Sequence, residues 1–548
     1  MDTIRYAIGL DISTQTITAM LVGVAESGGA VSDLAISSAW TASRPCREVE
    51  RKSPEVWVRL ARECIEDLKT VSREAELAEG IGVSATFPAV FPILSDGRID
   101  PGLVSLYDNT DDAGLCDPEH EDLLARAESE TLNRMWPGNA AIGLAHLVRF
   151  RGLRLADTAA IVPGSSAFVH TLLRSAGRPA KPSAVQADFS QSAISGLYQV
   201  SSGDPVPPGV AALLQNAIPD LDTAYLRRLL PQTAPSWRNA LPEDAAGGVR
   251  QLLGLTRLRA VSIGAGDSPL GVLALMSGPD TIINVRGSSD SPLMNVPYPR
   301  PRTGARETVL HYPLPSAATL ADPPWSVIAP MLRSGRVWDW VKGLRYAPDD
   351  TAGDRELEAM ALSGLKKRLR SRPGSPERVP VLFVPSLGGE RAPEWNARAT
   401  GAISGLLVGH GLGDIALAAL EGMSATLARC LRMMEDRYDA HPRYLLLAGG
   451  PTRNRLWNWI TAIFTGKRTF ATTFSDASLL GAAMLGYATA HDGEEPDRAI
   501  RSRLLELSRI VSGHPLVKPA PVEPPDAECA ALERDYAQQA CEIKLALT

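Results

Sequence analysis

Cysteine is scarce in this chain, with six residues among 548 and neither a C-x-x-C pair nor a spacing typical of zinc ligands. The spacing therefore predicts no structural metal and indicates a reduced, cytoplasmic setting. The eight histidines are scattered singly along the chain. We expect each of them to be an ordinary surface or core residue rather than a metal ligand or a base.

Long basic and long apolar runs are also missing. The sequence has no stretch of five Lys or Arg residues, and its formal net charge is −6, so it provides no positive field to attract nucleic acid. No span of 18 apolar residues occurs, which argues against insertion into a membrane. The opening residues, MDTIRYAIGLDIS, predict a strand rather than a signal peptide.

The length and composition are those of a large globular enzyme. At 548 residues, 45% of them hydrophobic, the chain is too long for one ordinary core, so two lobes are expected with a cleft between them. We predict an N-terminal lobe over 1–258 and a C-terminal lobe over 259–490. The acidic, Pro-rich stretch 491–548 ends in a helical pattern and is predicted to be an appendage.

Two turns with phosphate-binding character are predicted. The first follows the strand that ends at Asp11 and contains Ser13, Thr14 and Gln15. The second follows a strand over 281–285 and contains Gly287, Ser288 and Ser289. The backbone N–H groups of such turns can bind an anion, and the carboxylate of Asp11 can hold Mg²⁺ through water. Either turn alone also fits an ordinary hairpin, whereas the pair suits a nucleotide bound by both lobes.

A third glycine-containing turn follows an apolar strand over 444–448. Gly449 and Gly450 allow close approach of a ligand to the backbone, and the helix that Asn454 precedes favours anions at its start. An ordinary strand-to-helix turn is the alternative interpretation. The next helix, over 475–483, has a small-residue face and is predicted to pack beneath this site. Farther upstream, the Pro-rich segment 296–325 is predicted to run over the surface, and 325–344 to be helical.

A carboxylate follows another predicted strand in the segment Gly264-Ala-Gly-Asp267. The spacing of its glycines differs from the dinucleotide-binding fingerprint, and no acidic residue ends a strand about 20 positions later. The segment therefore does not favour dinucleotide binding. Asp267 is instead predicted to stand at the mouth of the cleft.

The ordered set Asp11, Asp267, Gly287-Ser-Ser and Gly449-Gly450 is similar to the FGGY carbohydrate kinases. The segment from Gly388 to Leu406 resembles their GERTP motif with its trailing glycines, and it favours the xylulokinase branch. The resemblance covers residues 4–488. It implies an α/β fold with two actin-like, ribonuclease H-like ATPase lobes around a central cleft, and it implies ATP and Mg²⁺ as cofactors.

The resemblance also implies residue roles. Asp267 would be the catalytic base, and Asp11 would hold Mg²⁺ through water. The residues implied to bind ATP and its phosphates are Asp11, Ser13, Thr14, Gln15, Gly287, Ser288, Ser289, Gly449, Gly450 and Asn454. Ser13 replaces the glycine that the family usually has at this position.

The sugar side departs from the family pattern. The residues predicted to contact the acceptor are Thr86, Pro88, Tyr107, Asn109, Asp267 and Ser268. Thr86 and Pro88 replace a Gln and a His of xylulokinases, while Asn109 and Asp111 replace an Asp and an Arg. Because unpaired buried polar groups reject a substrate strongly, the exact acceptor stays unassigned.

The sequence therefore predicts an ATP-dependent kinase that transfers the γ-phosphate to a hydroxyl of a sugar, ketose or polyol. The predicted partner is a small-molecule sugar or polyol, with no nucleic acid and no membrane. The oligomeric state stays open, a homodimer included. One alternative is a non-catalytic FGGY homologue that binds a ligand or regulates, and another is a bare ATPase. Acceptor-stimulated ADP release distinguishes the three.

Overall fold

The computed structural model describes residues 3–26, 34–112, 114–178, 184–275, 278, 280–302, 305–320, 324–347, 350–472, 474–491, 497–513 and 517–547. The chain forms two compact units. The first unit contains residues 1–276, 296–326 and 476–514, and the second contains 277–295, 327–475 and 515–548.

The first unit mixes strands and helices. Its strands are β1 (Thr3–Ile12), β2 (Thr16–Glu26), β3 (Leu34–Pro45), β4 (Gly80–Ala85), β5 (Ala89–Leu94), β6 (Ser105–Leu106), β7 (Thr158–Val162), β8 (Gln186–Asp188), β9 (Gln232–Ala234), β10 (Ala260–Val261) and β11 (Ala265–Gly266). Its helices up to residue 275 are α1 (Pro54–Val71), α2 (Glu121–Thr131), α3 (Ala140–Phe150), α4 (Gly164–Ser175), α5 (Phe189–Ile194), α6 (Pro208–Ala217), α7 (Thr223–Leu229), α8 (Ala246–Leu253) and α9 (Asp267–Leu275).

The elements after residue 276 begin with strand β12 (Thr281–Arg286), and most of them belong to the second unit. The remaining strands along the chain are β13 (Asp290–Val296), β14 (Leu310–Pro313), β15 (Trp325–Ile328), β16 (Leu382–Val384), β17 (Ala402–Ser404), β18 (Tyr444–Ala448), β19 (Arg468–Ala471) and β20 (Ala520–Pro521). The remaining helices are α10 (Gly335–Gly343), α11 (Thr351–Arg370), α12 (Leu412–Tyr438), α13 (Arg455–Thr465), α14 (Ala477–Thr489), α15 (Asp497–Gly513) and α16 (Ala527–Ala546). Of these, β14, α14 and α15 belong to the first unit.

The main sheet of the first unit has the order β10-β4-β1-β2-β3, and β11 also pairs with β4. The strands β1, β2 and β3 are antiparallel neighbours, whereas β4 is parallel to β1, β10 and β11. Strand β1 is apolar because both of its faces are covered, and Ile8 and Leu10 are fully buried. The parallel strands therefore bring their carboxyl ends to one edge of the sheet.

Helix α14 packs closely on this sheet through small residues. A Cβ atom on Gly82 of β4 would lie 1.8 Å from the carbonyl oxygen of Ala482, and one on Gly9 of β1 would lie 2.3 Å from that of Leu479. On its other side, Gly481 of α14 contacts the backbone of Leu270 in α9. The helix that carries Asp267 is thus held by α14.

The main sheet of the second unit contains β13, β12, β18, β19 and β20 in this order. Strand β12 is parallel to β18, and β18 is parallel to β19. Helices α11, α12, α13 and α16 bury an apolar core beside it. Within that core, Arg368 donates to Glu421 at 3.0 Å and Tyr536 of α16 donates to the same carboxylate at 2.8 Å.

Several predicted elements are confirmed with small shifts in their ends. The helix predicted from Ser53 is α1, and the Ser53 side chain accepts a hydrogen bond from the backbone N–H of Val56. The predictions for 296–325 and 325–344 are wrong in part. Residues 310–313 form the buried strand β14, and 325–328 form β15, with helix only from 335. Proline at segment ends interrupted the pattern that a buried strand would have shown.

The compact units differ from the predicted lobes 1–258 and 259–490. Packing places 259–276 and 476–514 with the first unit. Residues 491–548 are divided between the units: Ser508 of α15 donates to the carbonyl of Leu273 in the first unit, and α16 completes the core of the second. The helix predicted over 475–483 corresponds to α14, whose small residues pack on β1 and β4 within the first unit. The lobes as functional segments stay a prediction.

Among the described residues, no helix combines the length and the apolar character that crossing a bilayer requires.

The close approach of α14 yields a stability prediction. Gly82→Ala places a methyl group against the carbonyl of Ala482, so we expect a loss of about 1–3 kcal/mol or more in the free energy of unfolding. Gly247→Ala in α8 is the control, because a Cβ atom built on Gly247 meets nothing within 4 Å. We expect this variant to gain up to about 1 kcal/mol in the free energy of unfolding. Denaturant unfolding measures both, and equal stability of Gly82→Ala and wild type would contradict the packing.

Candidate active site

Two carboxylates meet at the carboxyl edge of the first unit's sheet. Asp11 is next to last in β1 and is paired in register with Ser84 of β4, which is in turn paired with Ala265 of β11. Asp267 follows β11 directly and begins α9. Because these strands are parallel neighbours, both side chains leave the sheet at the same edge. We call Asp11, Ser84, Asp267 and Ser268 the carboxylate cluster.

Asp11 is half-buried and held by hydroxyl groups. Ser84, which is fully buried, donates its hydroxyl to Asp11 Oδ1 at 2.5 Å, and Ser478 of α14 adds a second hydrogen bond. Burial raises the pKa of Asp11 above its ordinary value, and the charge of Asp476 raises it further, while the two hydroxyls oppose the shift.

Asp267 has a pKa close to neutrality. Its Oδ1 accepts hydrogen bonds from the backbone N–H of Ser268 at 2.6 Å and from the Ser268 hydroxyl at 3.3 Å. Burial, followed by the negative charge of Asp11, raises the pKa of Asp267 to about 7. A carboxylate in this range can accept a proton from an alcohol in a transition state and release it afterwards.

The carboxylate cluster also suits a hard cation. All of its donors are oxygen atoms, and the repulsion between Asp11 and Asp267 would be relieved by a divalent ion. Within the described ranges, no group of three or more His, Cys, Asp and Glu residues is arranged to hold a metal. Mg²⁺ binds with few protein ligands and keeps several waters, so Asp11 and Asp267 fit this ion.

An aromatic wall adjoins the cluster. A Cβ on Gly266 would lie 2.5 Å from the ring of Phe87, and that ring meets Tyr312 edge-on with centroids 6.0 Å apart. Tyr312 is fully buried in β14. Burial raises its pKa well above the ordinary value, and the charge of Asp267 adds to the shift. Tyr312 is therefore an electrostatic neighbour of Asp267.

The predicted sugar-binding residues make the following contacts in the ligand-free chain. Thr86 donates its hydroxyl to the carbonyl of Ile12 at 3.3 Å, next to the carboxylate cluster, and Pro88 follows Phe87 in a cis peptide. The Asn109 amide donates to the carbonyls of Asp111 and Pro137, and the carbonyl of Tyr107 accepts from Trp136. The Asn109 amide thus connects its own loop to the segment between α2 and α3. The sugar-binding roles stay predictions.

The turn after β1 is organised by Ser13. Its hydroxyl donates to the carbonyl of Thr16 at 2.8 Å and accepts from the N–H groups of Gln15 and Thr16 at 3.4 and 3.1 Å. Ser13 therefore engages two N–H groups that a phosphate-binding turn would offer. Thr14 is half-buried and Gln15 is exposed, so their side chains are accessible from solvent.

The predicted nucleotide residues of the second unit also lie at one sheet edge. Val285 of β12 is paired in register with Ala448 of β18, so the turn at Gly287, Ser288 and Ser289 and the turn at Gly449 and Gly450 are neighbours. We call these five residues the glycine cluster. Gly449 has φ 102°, and a Cβ there would lie 2.0 Å from the carbonyl oxygen of Arg286.

Gly450 and Asn454 complete this edge. Gly450 is exposed, and a Cβ built on it would meet nothing within 4 Å. Asn454 is the N-cap of α13, where its side-chain oxygen accepts from the backbone N–H of Trp457 at 2.8 Å. The glycine cluster thus offers open space beside a helix start.

Four residues that bear on Asp11 and Asp267 were not predicted from the sequence: Ser84, Asp476, Ser478 and Tyr312. Ser84 lies two positions before Thr86, and its register with Asp11 follows from pairing β1 with β4. The sequence Asp476-Ala-Ser478 signals a helix start and nothing about Asp11. Tyr312 lies in a Pro-rich segment that gave no strand signal.

The chain is similar to known proteins over its C-terminal part. Residues 302–490 match the C-terminal domain of the FGGY family of carbohydrate kinases. Over 284 residues the chain is 27% identical to a gluconokinase of Bacillus licheniformis, and over 286 residues it is 26% identical to a xylulose kinase of Escherichia coli K12. These matches cover about half of this chain, and the chain spans about half the length of the curated relatives it matches: 50% and 49% respectively.

Solved structures resemble the whole chain. A gluconate kinase from Lactobacillus acidophilus has a TM-score of 0.72 at 18% identity and covers 100% of this chain and 98% of its own. A xylulose kinase from the same organism has a TM-score of 0.71 at 17% identity, with 99% and 98% covered. These likenesses confirm the predicted α/β fold of actin-like ATPase lobes.

The raised pKa of Asp267 predicts a pH-dependent stability. The folded chain keeps a proton on Asp267 between the ordinary value of 3.8 and about 7, whereas the unfolded chain releases it. Stability from this group therefore falls as pH rises through that window and levels off above it. Asp267→Asn removes the effect, so its stability advantage over wild type should widen by at most about 1.4 kcal/mol per pH unit.

Denaturant unfolding of the ligand-free proteins from pH 5 to 8 measures this difference. Asp122→Asn is the control, because Asp122 is an exposed carboxylate of the same unit in the first turn of α2. Its difference from wild type should stay constant with pH. A constant difference for Asp267→Asn as well would show that Asp267 titrates in its usual range.

Substituting the two adjacent glycines of the second unit should change the stability by different amounts. Gly449→Ala forces a methyl group into the backbone of Arg286 at a positive φ, so we expect a loss of about 1–3 kcal/mol in stability. Gly450→Ala meets open space and should unfold within about 0.5 kcal/mol of wild type. Thermal unfolding of both variants decides, and equal melting temperatures would contradict the geometry.

Proposed function

We propose that this chain, a member of the FGGY family of carbohydrate kinases, transfers the γ-phosphoryl group of ATP to a hydroxyl of a sugar, ketose or polyol. The observation that carries the proposal is the pair of neighbouring carboxylates Asp11 and Asp267, of which Asp267 has a pKa of about 7. The match of 302–490 to the family supports it independently.

In the proposed reaction Asp267 is the general base. Its Oδ1 is occupied by two hydrogen bonds from Ser268, which fix the orientation of the carboxylate. The other oxygen would accept the proton of the attacking hydroxyl. The acceptor oxygen forms a bond to the γ-phosphorus as the bond from that phosphorus to the bridging oxygen breaks, and ADP leaves with the electron pair.

Asp11 has an electrostatic role in this proposal. Burial, together with the charge of Asp11, keeps the pKa of Asp267 near neutrality in the ligand-free protein, and Asp11 would hold Mg²⁺ through water. Bound Mg²⁺ supplies charge neutralisation on the phosphates. The hydroxyl of Ser84 fixes Asp11 for this role, since it donates to Oδ1 from a fully buried position.

The glycine cluster is proposed to bind the nucleotide. The turn at Gly287 and Ser288 is exposed, and the backbone N–H groups and hydroxyls of Ser288 and Ser289 suit the terminal phosphates. Gly450 faces open space, which suits the approach of an adenosine. Phosphoryl transfer depends mostly on such positioning, because its transition state is loose.

The class of acceptor is inferred from the related kinases and from the residues at which this chain differs from xylulokinases. The named relatives include gluconokinases, xylulose kinases and glycerol kinases, so an acid, a ketose and a polyol belong in the test. Thr86 and Pro88 stand beside the carboxylate cluster where xylulokinases have other residues. We therefore include D-xylulose among the acceptors to be tested but do not expect it to be the preferred substrate.

An acceptor panel tests the function. ADP release from MgATP is measured with D-xylulose, other pentuloses, D-gluconate, glycerol and tetritols. We expect stimulation by at least one acceptor, and Asp267→Asn should lower that turnover by about 10² to 10⁴-fold while ATP binding persists. Asp122→Asn is the control and should match wild type.

Two outcomes would contradict the proposal. ADP release that no acceptor stimulates would indicate a bare ATPase, and ligand binding without ADP release would indicate a non-catalytic homologue. Equal turnover of Asp267→Asn and wild type would remove Asp267 from the role of base.

A further inference from the structure

A pair of buried opposite charges flanks the turn of the glycine cluster. Arg286 ends β12 and Asp290 begins β13, and the two are paired in register across the hairpin whose turn is Gly287, Ser288 and Ser289. Arg286 Nε lies 3.6 Å from Asp290 Oδ2, and both side chains are almost fully buried. The exposed turn therefore stands on a buried ion pair.

Arg286 connects this turn to α13. Its Nη1 donates to Asn458 Oδ1 at 3.0 Å and its Nη2 to Thr461 Oγ1 at 2.5 Å. The guanidinium carbon also lies 4.4 Å from the centre of the Trp457 ring. Since Asn454 caps the same helix, the turn and the start of α13 are fixed relative to each other.

The carbonyl groups of the turn are held from another direction. The backbone N–H groups of Ser334 and Gly335, at the start of α10, donate to the carbonyls of Ser288 and Gly287 at 3.1 and 3.2 Å. Gly287 N–H itself donates to the carbonyl of Ser289 at 2.8 Å. With its carbonyls bound and its strand ends anchored, the turn has one backbone conformation.

The ion pair is poorly suited to stabilising the fold. Its N–O distance exceeds that of a hydrogen bond, and Arg286 Nε is buried without a hydrogen-bond partner. The Asp290 carboxylate accepts a hydrogen bond from the Ser334 side chain. Asp290 Oδ2 also accepts from Asn284 at 3.1 Å. Desolvation of such a pair costs as much as, or more than, its attraction returns. Stability therefore does not explain two buried charges at this position.

We propose that Arg286 and Asp290 are positioning residues that fix the backbone of Gly287, Ser288 and Ser289 for the terminal phosphate of the nucleotide. This inference rests on the proposed function and adds to it two residues that do not touch the phosphate. Arg286 acts through α13 and Asp290 through the hairpin. The pair should distinguish ATP from ADP, because only ATP has the phosphate that the turn would contact.

The test uses a neutral replacement of both partners. Arg286→Met with Asp290→Asn keeps the volume and the hydrogen bond to Asn284 while leaving no unpaired charge, so the double variant should fold. Two quantities are measured in the full-length protein: amide hydrogen exchange of residues 284–292, and the dissociation constants of ATP and ADP by calorimetry. We expect faster exchange and about tenfold weaker ATP binding, with ADP binding within about twofold of wild type.

A second buried ion pair of the same unit provides the matched control. Arg368 and Glu421 are almost fully buried in the core of α11 and α12, away from the hairpin in sequence. Arg368→Met with Glu421→Gln should leave both the exchange of 284–292 and the ATP affinity at wild-type values. An equal loss in this control would attribute the effect to general packing and overturn the inference.

The outcomes separate the inference from the proposed function. Unchanged exchange in the Arg286/Asp290 variant overturns the positioning role whether or not ATP binds. Unchanged ATP affinity overturns it when the wild type binds ATP. A wild type that binds no ATP removes the proposed function, and the exchange measurement still decides whether the pair fixes the turn.

Discussion

The candidate active site depends on the repulsion between two carboxylates, Asp11 and Asp267. Parallel strand pairing brings both of them to one edge of the first unit's sheet. Asp11 lies in β1 and Asp267 follows β11, and both strands pair with β4, so the fold brings the two side chains to one edge of the sheet whatever their charges. Burial and the charge of Asp11 then hold the pKa of Asp267 near 7. Because two neighbouring negative charges are unfavourable here, the site can bind a cation, and Asp267 can accept a proton from an alcohol.

The surrounding packing keeps the carboxylates at this edge. Gly9 and Gly82 lack side chains where α14 crosses the sheet, and Gly481 of the same helix contacts α9. Helix α9 therefore begins where β11 ends, and Asp267 has little freedom to move away from Asp11. In the second unit, Gly449 meets the backbone of Arg286 in the same manner. Small residues thus set distances in both units, while polar residues set orientation.

Local signals predicted much of this arrangement. The apolar strands predicted to lead to Asp11 and to Ala448 correspond to β1 and β18, and Ser53 indicated the start of α1. These features depend on neighbours in the sequence, so periodicity and capping residues carry them. The resemblance to the FGGY family supplied the order of the site residues, and the structural likenesses confirm its fold.

Long-range partners could not be predicted in the same way. The small-residue face of α14 indicates close packing, but the sequence does not show which element it packs against. In the structure α14 packs on β1 and β4. Tyr312 lies in a segment whose prolines suggested a surface loop, although its strand is buried. Asn109 replaces an Asp of the family, and no local signal indicated that its amide donates to the carbonyl of Pro137. In each case a tertiary contact decided the outcome.

The most direct test concerns Asp267, whose pKa of about 7 leaves it partly protonated at neutral pH until a cation binds beside it. Calorimetric titration of MgATP at pH 7 in two buffers of different ionisation enthalpy measures the protons released on binding. The account predicts a larger release from wild type than from Asp267→Asn, because only the wild type has this proton to lose. Equal release from the two proteins would contradict it.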